Sequence, residues 1–344
     1  MDNYDVVIIG GGVAGLSLAK FLTEKGVPFH LIEEHNDFFM KPCGEGVVRH
    51  TMGYDFYDLY ESKVGVEKEI WETVIYTKYG EIEMEMPIVM VDKREMEQEM
   101  AKKGNGGEIR MGEKVEKIKN GIIYPQEIKP HLIVGADGAL SMVREYIGLK
   151  KPILGIAAEG YTNDIDMDDE KCHIILDKRV VEYGYAWYFP KKEKWNIGIG
   201  SQKKKYFKEG FKRFREENKD IKEWRGALVP LDKPLKAYGK NAILIGDAAS
   251  HVFSAIGAGI TPSMIVAKIA SDFIERWARD DFRNMDFKSF EKKWRRVIGR
   301  YLTYSYYTKS IFFSLVKSEY IRHKLLKKMC ENTSEYYRRV MKRG

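Results

Sequence analysis

The chain opens on YDVVIIG (residues 4–10), an almost unbroken apolar run of the kind that forms a buried strand. Apolar positions then recur at helical spacing through GLSLAKFLTEKG (15–26). Gly26 and Pro28 stop that helix, and PFHLIEE (28–34) reads as a second strand. Strand, glycine turn, helix and strand predict a βαβ unit. Residues 43–53 read as a glycine-rich loop. The runs TVIYT, EIEMEM and PIVMV between residues 64 and 91 predict an antiparallel segment, followed by a charged helix over 92–103. Two short strands over 108–124 and the run HLIVGADG (131–138) return the chain to the first sheet.

Residues 151–235 carry several alternating strands and one charged helix (203–219), on which Phe207, Phe211 and Phe214 share a face and predict a core stripe. Among those strands EYGYAWYFP (182–190) puts Tyr183, Tyr185, Trp187 and Phe189 on alternate positions, so one strand face is covered in rings. Such a face either fills a core or lines a cavity. NAILIGDAAS (241–250) predicts another buried parallel strand, and residues 261–278 a long helix. The remainder is helical, basic and rich in Tyr and Phe. The expected organisation is a discontinuous nucleotide-binding domain (1–150 and 236–270), with 50–90 giving part of its strands to the neighbouring domain. A β-rich substrate domain (151–235) and C-terminal helices (271–344) complete it.

With 44% hydrophobic and 32% charged residues, the 344-residue composition is that of an ordinary globular protein. The net charge of +7 is concentrated at the end, where residues 271–344 hold 19 Lys or Arg against 9 Asp or Glu. An anionic membrane surface or a solvated helical face explains this excess. No fold or aromatic platform for nucleic acid accompanies it, so no nucleic-acid partner is expected. No stretch of 18 residues is apolar enough to span a bilayer, and the start has no basic n-region. Cys43, Cys172 and Cys330 are odd in number and far apart, which argues against a disulfide framework or a metal knuckle. The expected location is the cytoplasm, with peripheral membrane association, and no metal is expected.

Chemistry enters with the glycines. Gly10, Gly12 and Gly15 form G-x-G-x-x-G between strand and helix: one for a tight turn, one for close approach to a pyrophosphate, one for helix–strand packing. Glu33, eighteen residues beyond Gly15, ends the second strand where a carboxylate accepts from ribose hydroxyls. Those features predict a dinucleotide without distinguishing FAD from NAD. The IGDAAS run favours FAD, because Asp247 at a strand end can hold a ribityl hydroxyl. The turn after it, with Gly257, Gly259 and Ile260, then offers backbone N–H groups to the electron-rich edge of a flavin. Asp137 and Gly138 mark a third strand end; that pair either covers the pyrophosphate or caps the following helix.

These three motifs, in this order around a β-rich insertion, resemble the p-hydroxybenzoate-hydroxylase-like FAD enzymes. KPCGEGV (41–47) and YAWYFP (185–190) further resemble the Cys-Gly loop and the Tyr-x-Trp-x-Phe-Pro signature of the geranylgeranyl reductase family, of the archaeal digeranylgeranylglycerophospholipid reductase type. The resemblance implies a Rossmann-like FAD-binding domain with an inserted antiparallel sheet and a C-terminal helical region. It also implies saturation of isoprenoid double bonds in membrane lipids or polyprenyl substrates by reduced FAD. Carried over by position, FAD contacts fall on Ala14, Glu33, Cys43, Gly44, Gly46, Val115, Asp247, Gly259 and Ile260. A family arginine falls on Lys93, with Arg94 adjacent. Cys43 is implied beside the flavin, positioning substrate or relaying a proton, and Tyr185, Trp187 and Phe189 become the expected lining of an apolar channel. An isolated alkene is a poor hydride acceptor, and aromatic faces there stabilise developing cationic character by roughly 0.5–2 kcal/mol each. No second glycine fingerprint marks a nicotinamide site, so NADPH, ferredoxin or a quinol remain as electron donors. An FAD monooxygenase or halogenase of an aromatic substrate, or a flavoprotein electron carrier, are the alternatives.

Overall fold

A computed structural model of the chain describes residues 4–342. Five parallel strands and one antiparallel edge make a six-stranded sheet, ordered Tyr238–Gly239, Ala242–Leu244, Leu132–Gly135, Val6–Ile9, His30–Glu33 and Glu108–Met111. Val6–Ile9 is central and buried along its whole length, which is why its sequence runs apolar without alternation. The helix Val13–Glu24 leaves this strand, covers the sheet and packs against the long helix Ile260–Arg279. Strand pieces from three separate parts of the sequence thereby meet with their carboxyl ends on one edge, where such sheets bind ligands.

The second sheet has eight strands, ordered Arg225–Pro230, Leu154–Thr162, Trp195–Ser201, Gly184–Pro190, Lys171–Ile175, Val66–Thr77, Gly80–Val91 and Gly46–Val48. It is antiparallel except where Lys171–Ile175 runs parallel to Val66–Thr77. That pair exists because the hairpin of Val66–Thr77 and Gly80–Val91 precedes the inserted segment and meets it from across the molecule. The stretch read as two strands over 108–124 is three. Glu108–Met111 joins the first sheet, while Lys117–Lys119 and Ile122–Tyr124 pair with each other around positive-φ Asn120 and Gly121.

On the back of the large sheet, helix Lys204–Glu217 turns Phe207, Phe211 and Phe214 onto Ala186, Ile197 and Ile199, so the phenylalanine stripe is core. The C-terminal region continues through helices Phe287–Trp294 and Arg300–Ser310, each followed by a short π-helical turn, to Glu319–Met341. This last helix lies on the hairpin. Cys330 packs with Ile75 and Ile82, the Ser334 hydroxyl accepts from the Glu85 N–H at 2.9 Å, and Tyr337 donates to the His50 carbonyl at 3.1 Å. Among the described residues no helix is long and apolar enough to cross a membrane.

Candidate active site

At the end of Val6–Ile9 the chain turns through Gly10 at φ +106°, a conformation L side chains rarely adopt. A Cβ on Gly15 would stand 2.0 Å from the Gly10 carbonyl oxygen, so the third glycine sets how closely helix and turn approach. Gly12 differs: a Cβ there meets nothing within 4 Å. That open space lies at the start of helix Val13–Glu24, which has neither a side-chain cap nor an acidic residue in its first turn. Uncapped N–H groups facing a void are what a pyrophosphate needs. Glu33 stands beside it, its carboxylate accepting from the N–H groups of Gly11 at 2.6 Å and His35 at 2.9 Å.

Two further strand ends complete this half. The Asp137 carboxylate accepts from the Ser141 hydroxyl at 2.6 Å and from the Met142 and Val143 N–H groups, so its side chain caps the next helix. Gly138, at φ +75° with nothing within 4 Å of a Cβ, leaves the backbone open to the cavity. Buried Arg144 links this loop to the GDAAS turn by donating to the carbonyls of Ala139 and Ala248. Asp247, in that turn, forms an ion pair with Lys41 of the Cys-Gly loop. The open cradle at Gly12 and Gly138, with carboxylates at Glu33 and Asp247, fits an extended dinucleotide.

The rings occupy the other half. Directly paired residues share a sheet face, so Tyr185 lies opposite Gly200, Trp187 opposite Gly198 and Phe189 opposite Asn196. Gly198 makes room for the indole. A Cβ on Gly198 would be 2.2 Å from the Trp187 indole. Trp187 is only 7% exposed yet lines the cavity, while Tyr188 between the rings points back against Phe214. Tyr185 donates to the Ile256 carbonyl at 2.6 Å, tying the aromatic strand to the turn that holds Gly257 and Gly259. Burial, with the Cys43 thiol nearby, pushes the Tyr185 phenol up to about 12, so it remains a donor. Burial likewise pushes the Cys43 thiol up, which makes it a neutral thiol rather than a nucleophilic thiolate.

Beneath Cys43 lies a polar cluster that motif reading missed. Fully buried Asn196 accepts from the Trp187 indole N–H at 2.9 Å and donates to the Cys43 carbonyl at 2.9 Å and the Glu159 carboxyl at 2.7 Å. Glu45 Oε2 is 3.2 Å from the same amide nitrogen. Glu45 also accepts from the Tyr161 hydroxyl at 2.6 Å and the Lys93 N–H at 2.9 Å, and pairs with the Lys191 ammonium at 3.0 Å. The available signal was a lone charge inside an apolar strand, Glu159 in LGIAAEGYT, and a lone Asn in WNIGIGS.

One cavity of about 860 Å³ joins both halves. It is lined by every nominated residue except two: Gly15, which lies beneath the turn, and Arg94, which is exposed and pairs with Asp37. Lys93 does line it, although its buried ammonium is held by Glu97 at 2.6 Å. Past the rings the wall turns apolar, through Ile75, Met84, Met86, Ile174, Leu326 and Met329. Among the described residues no cluster could hold a metal ion.

Four similarities accompany this geometry. Digeranylgeranylglycerophospholipid reductase 1 of Methanococcoides burtonii is 25% identical over 91% of this chain and 85% of its own. The digeranylgeranylglycerophospholipid reductase of Methanosarcina acetivorans is 27% identical over 91% and 86%. A geranylgeranyl bacteriochlorophyll reductase-like crystal structure from Thermoplasma acidophilum superposes with a TM-score of 0.81 at 19% identity, covering 97% of this chain and 92% of that one, and so shares the fold. The profile described as "FAD binding domain" matches residues 3–208, more than half of the sequence. With the glycine turn, Glu33 and Asp247 arrayed along one sheet edge, the chain belongs to the FAD-binding domain family.

Proposed function

We propose that this chain is an FAD-dependent oxidoreductase that saturates isolated carbon–carbon double bonds in an isoprenoid membrane lipid. The observation that carries this reading is the single cavity running from the dinucleotide cradle, past three rings, to an apolar wall closed by the last helix. The named reductases of similar sequence support it. Bound and reduced, FAD supplies a hydride there, its electrons coming from an external nicotinamide, ferredoxin or quinol donor. The chain's own residues hold the two partners and keep out water. Glu33, Asp247 and the Gly12 turn would hold the cofactor. Trp187, Phe189 and the Met and Ile side chains would hold a polyprenyl chain straight against it. Tyr185, through Ile256, would fix the distance between sheet and cofactor turn. Anaerobic incubation of the dithionite-reduced protein with a digeranylgeranylglycerophospholipid, followed by mass spectrometry, tests this. Added pairs of hydrogens are expected, and an unchanged lipid mass would sink the reading.

Trp187→Ala is expected to lower lipid turnover roughly tenfold or more, because a π-surface that stabilises cationic character is lost. FAD stoichiometry should be unchanged. Turnover equal to that of the parent would make the indole mere core.

The substrate lies in a bilayer, and the C-terminal helices suit a peripheral contact with one. Tyr304 and Leu315 are 70% and 71% exposed, Ile311 and Ile321 about half exposed, and lysines and arginines are interspersed among them. Basic amphipathic surfaces of this composition bind anionic interfaces, with each cation worth about 1 kcal/mol near the surface. Vesicles containing anionic lipid are expected to sediment the protein at low salt. Ile311→Glu with Leu315→Glu should weaken this severalfold without changing FAD content. Equal sedimentation of parent and variant would exclude this face.

A further inference from the structure

Saturating an alkene takes a hydride at one carbon and a proton at the other, and the reading above leaves the proton without a source. We propose that the Glu159 carboxylic acid is that source, a proton donor built into the wall of the substrate cavity; the inference rests on the proposed reductase activity.

The geometry separates two carboxyl groups that meet at one amide. Glu45 is fully partnered without that amide, by the Tyr161 hydroxyl, the Lys93 N–H and the Lys191 ammonium. Glu159, 2% exposed, accepts only from Asn196 on Oε2, and its Oε1 has no hydrogen-bond partner. The nearest cation to Oε1 is Arg225 Nε at 3.9 Å, beyond bonding reach and itself a donor. A proton on Oε1 therefore has no acceptor in the protein, and Glu159 lines the cavity. The sheet register places it in one row with the Trp187 indole: Arg225, Glu159, Gly198 and Trp187 are successive cross-strand neighbours. Since Gly198 lacks a side chain, no Cβ stands between the carboxyl and the indole.

The surroundings favour the neutral acid. Burial first, and then the Glu45 charge, push the Glu159 carboxyl up to about 7, while Arg225, Asn196 and Lys191 act in the other direction. Around this cluster Cys43 and Tyr161 are themselves held protonated by burial, while the Lys93 ammonium faces Cys43 and Glu45 and Lys194 stands 4.2 Å over the Tyr161 ring. Two carboxyls with opposed environments are the usual mark of a general acid. In the step, the Glu159 O–H bond breaks and a C–H bond forms at the more electron-rich alkene carbon. The hydride, with both electrons, comes from the reduced cofactor. The carboxylate left behind regains a proton from solvent before the next turnover.

Glu159→Gln keeps shape and the acceptor for Asn196 but removes the acid. In the dithionite-reduced holoenzyme under anaerobic conditions, flavin reoxidation by a digeranylgeranylglycerophospholipid in detergent should slow roughly 100-fold at pH 6.5, the lower range for a lost general acid. The parent rate should fall as pH rises through about 7. The variant should lack that limb. A second readout needs neither cofactor nor lipid. Infrared spectra of the apoprotein should contain a protonated-carboxyl band that disappears through the same pH range and is missing from the variant. Stability should follow: because the folded group titrates higher than an unfolded glutamate, its contribution is present at pH 4 and lost through about 7. The parent should therefore melt progressively lower than Glu159→Gln as pH is raised from 5 to 8. An unchanged reoxidation rate and pH profile in the variant, or no such infrared band in the parent, overturns the proposal. If the parent flavin is not reoxidised by the lipid although the band titrates as expected, the reductase reading fails and the protonated carboxyl stands.

Discussion

Purified Gly15→Ala is expected to be colourless. The added Cβ would stand 2.0 Å from a backbone oxygen, that of Gly10, and backbone cannot swing aside as a side-chain tip does. The helix Val13–Glu24 must therefore withdraw from the sheet, and Gly10, already held against the Ala136 carbonyl, has no room to follow. Overpacking of this kind costs about 1–3 kcal/mol or more. The larger loss is the cradle, because the uncapped N–H groups move away from the pyrophosphate. Flavin per chain, read from absorbance of the purified protein, should fall more than tenfold, and added FAD should no longer raise the melting temperature. Gly12→Ala supplies the contrast: its Cβ meets no protein atom within 4 Å, so folding is retained while the methyl enters the space proposed for the phosphate. A yellow Gly15→Ala protein with parental FAD affinity would refute the assignment of the turn.

Lys191→Met should be the most destabilising single change near the rings. The ammonium is 1% exposed, pairs with Glu45 at 3.0 Å and Glu67 at 2.8 Å, and donates to the Val91 carbonyl. Removing it leaves a fully buried carboxylate and a mostly buried one without their counter-charge, at about 3–5 kcal/mol. For a chain of this size that corresponds to a melting temperature about 4–7 °C lower. Lys191→Met with Glu45→Gln should recover part of the loss, a coupling that a double-mutant cycle reads directly. A Lys191→Met protein as stable as the parent at every pH would mean water already reaches this cluster.

Much of the geometry around the glycine turn was legible because it is local. Gly10, Gly12 and Gly15 act within one turn, and Glu33 and Asp247 stand at strand ends that their own apolar runs announce. Asp137 was legible as a strand-end residue but not in its detail: its carboxylate is taken up by the Ser141 turn, leaving Gly138 to face the cavity. The alternating rings left core and cavity open, and the structure answers with both, Trp187 lining the cavity while Tyr188 joins the core behind it. What stayed hidden depends on pairing between distant segments. Asn196 gains its importance from Cys43, Glu45 and Glu159, which lie 37 to 153 residues away. Nothing in the local pattern of WNIGIGS announces such neighbours. The parallel contact of Lys171–Ile175 with Val66–Thr77 was hidden for the same reason, since a strand's period reveals its faces and not its partner.

The interleaving of the two sheets has a consequence for biosynthesis. The cradle needs Val6–Ile9 and Leu132–Gly135 together with the GDAAS turn and Ile260–Arg279, while the chain between them builds the other sheet. A nascent polypeptide still lacking its last hundred residues has the glycine turn proposed for the phosphate but not Asp247, the proposed ribityl partner. Coenzyme capture therefore belongs to the final stage of translation, and truncated translation products should be colourless bystanders rather than competitors for the coenzyme supply.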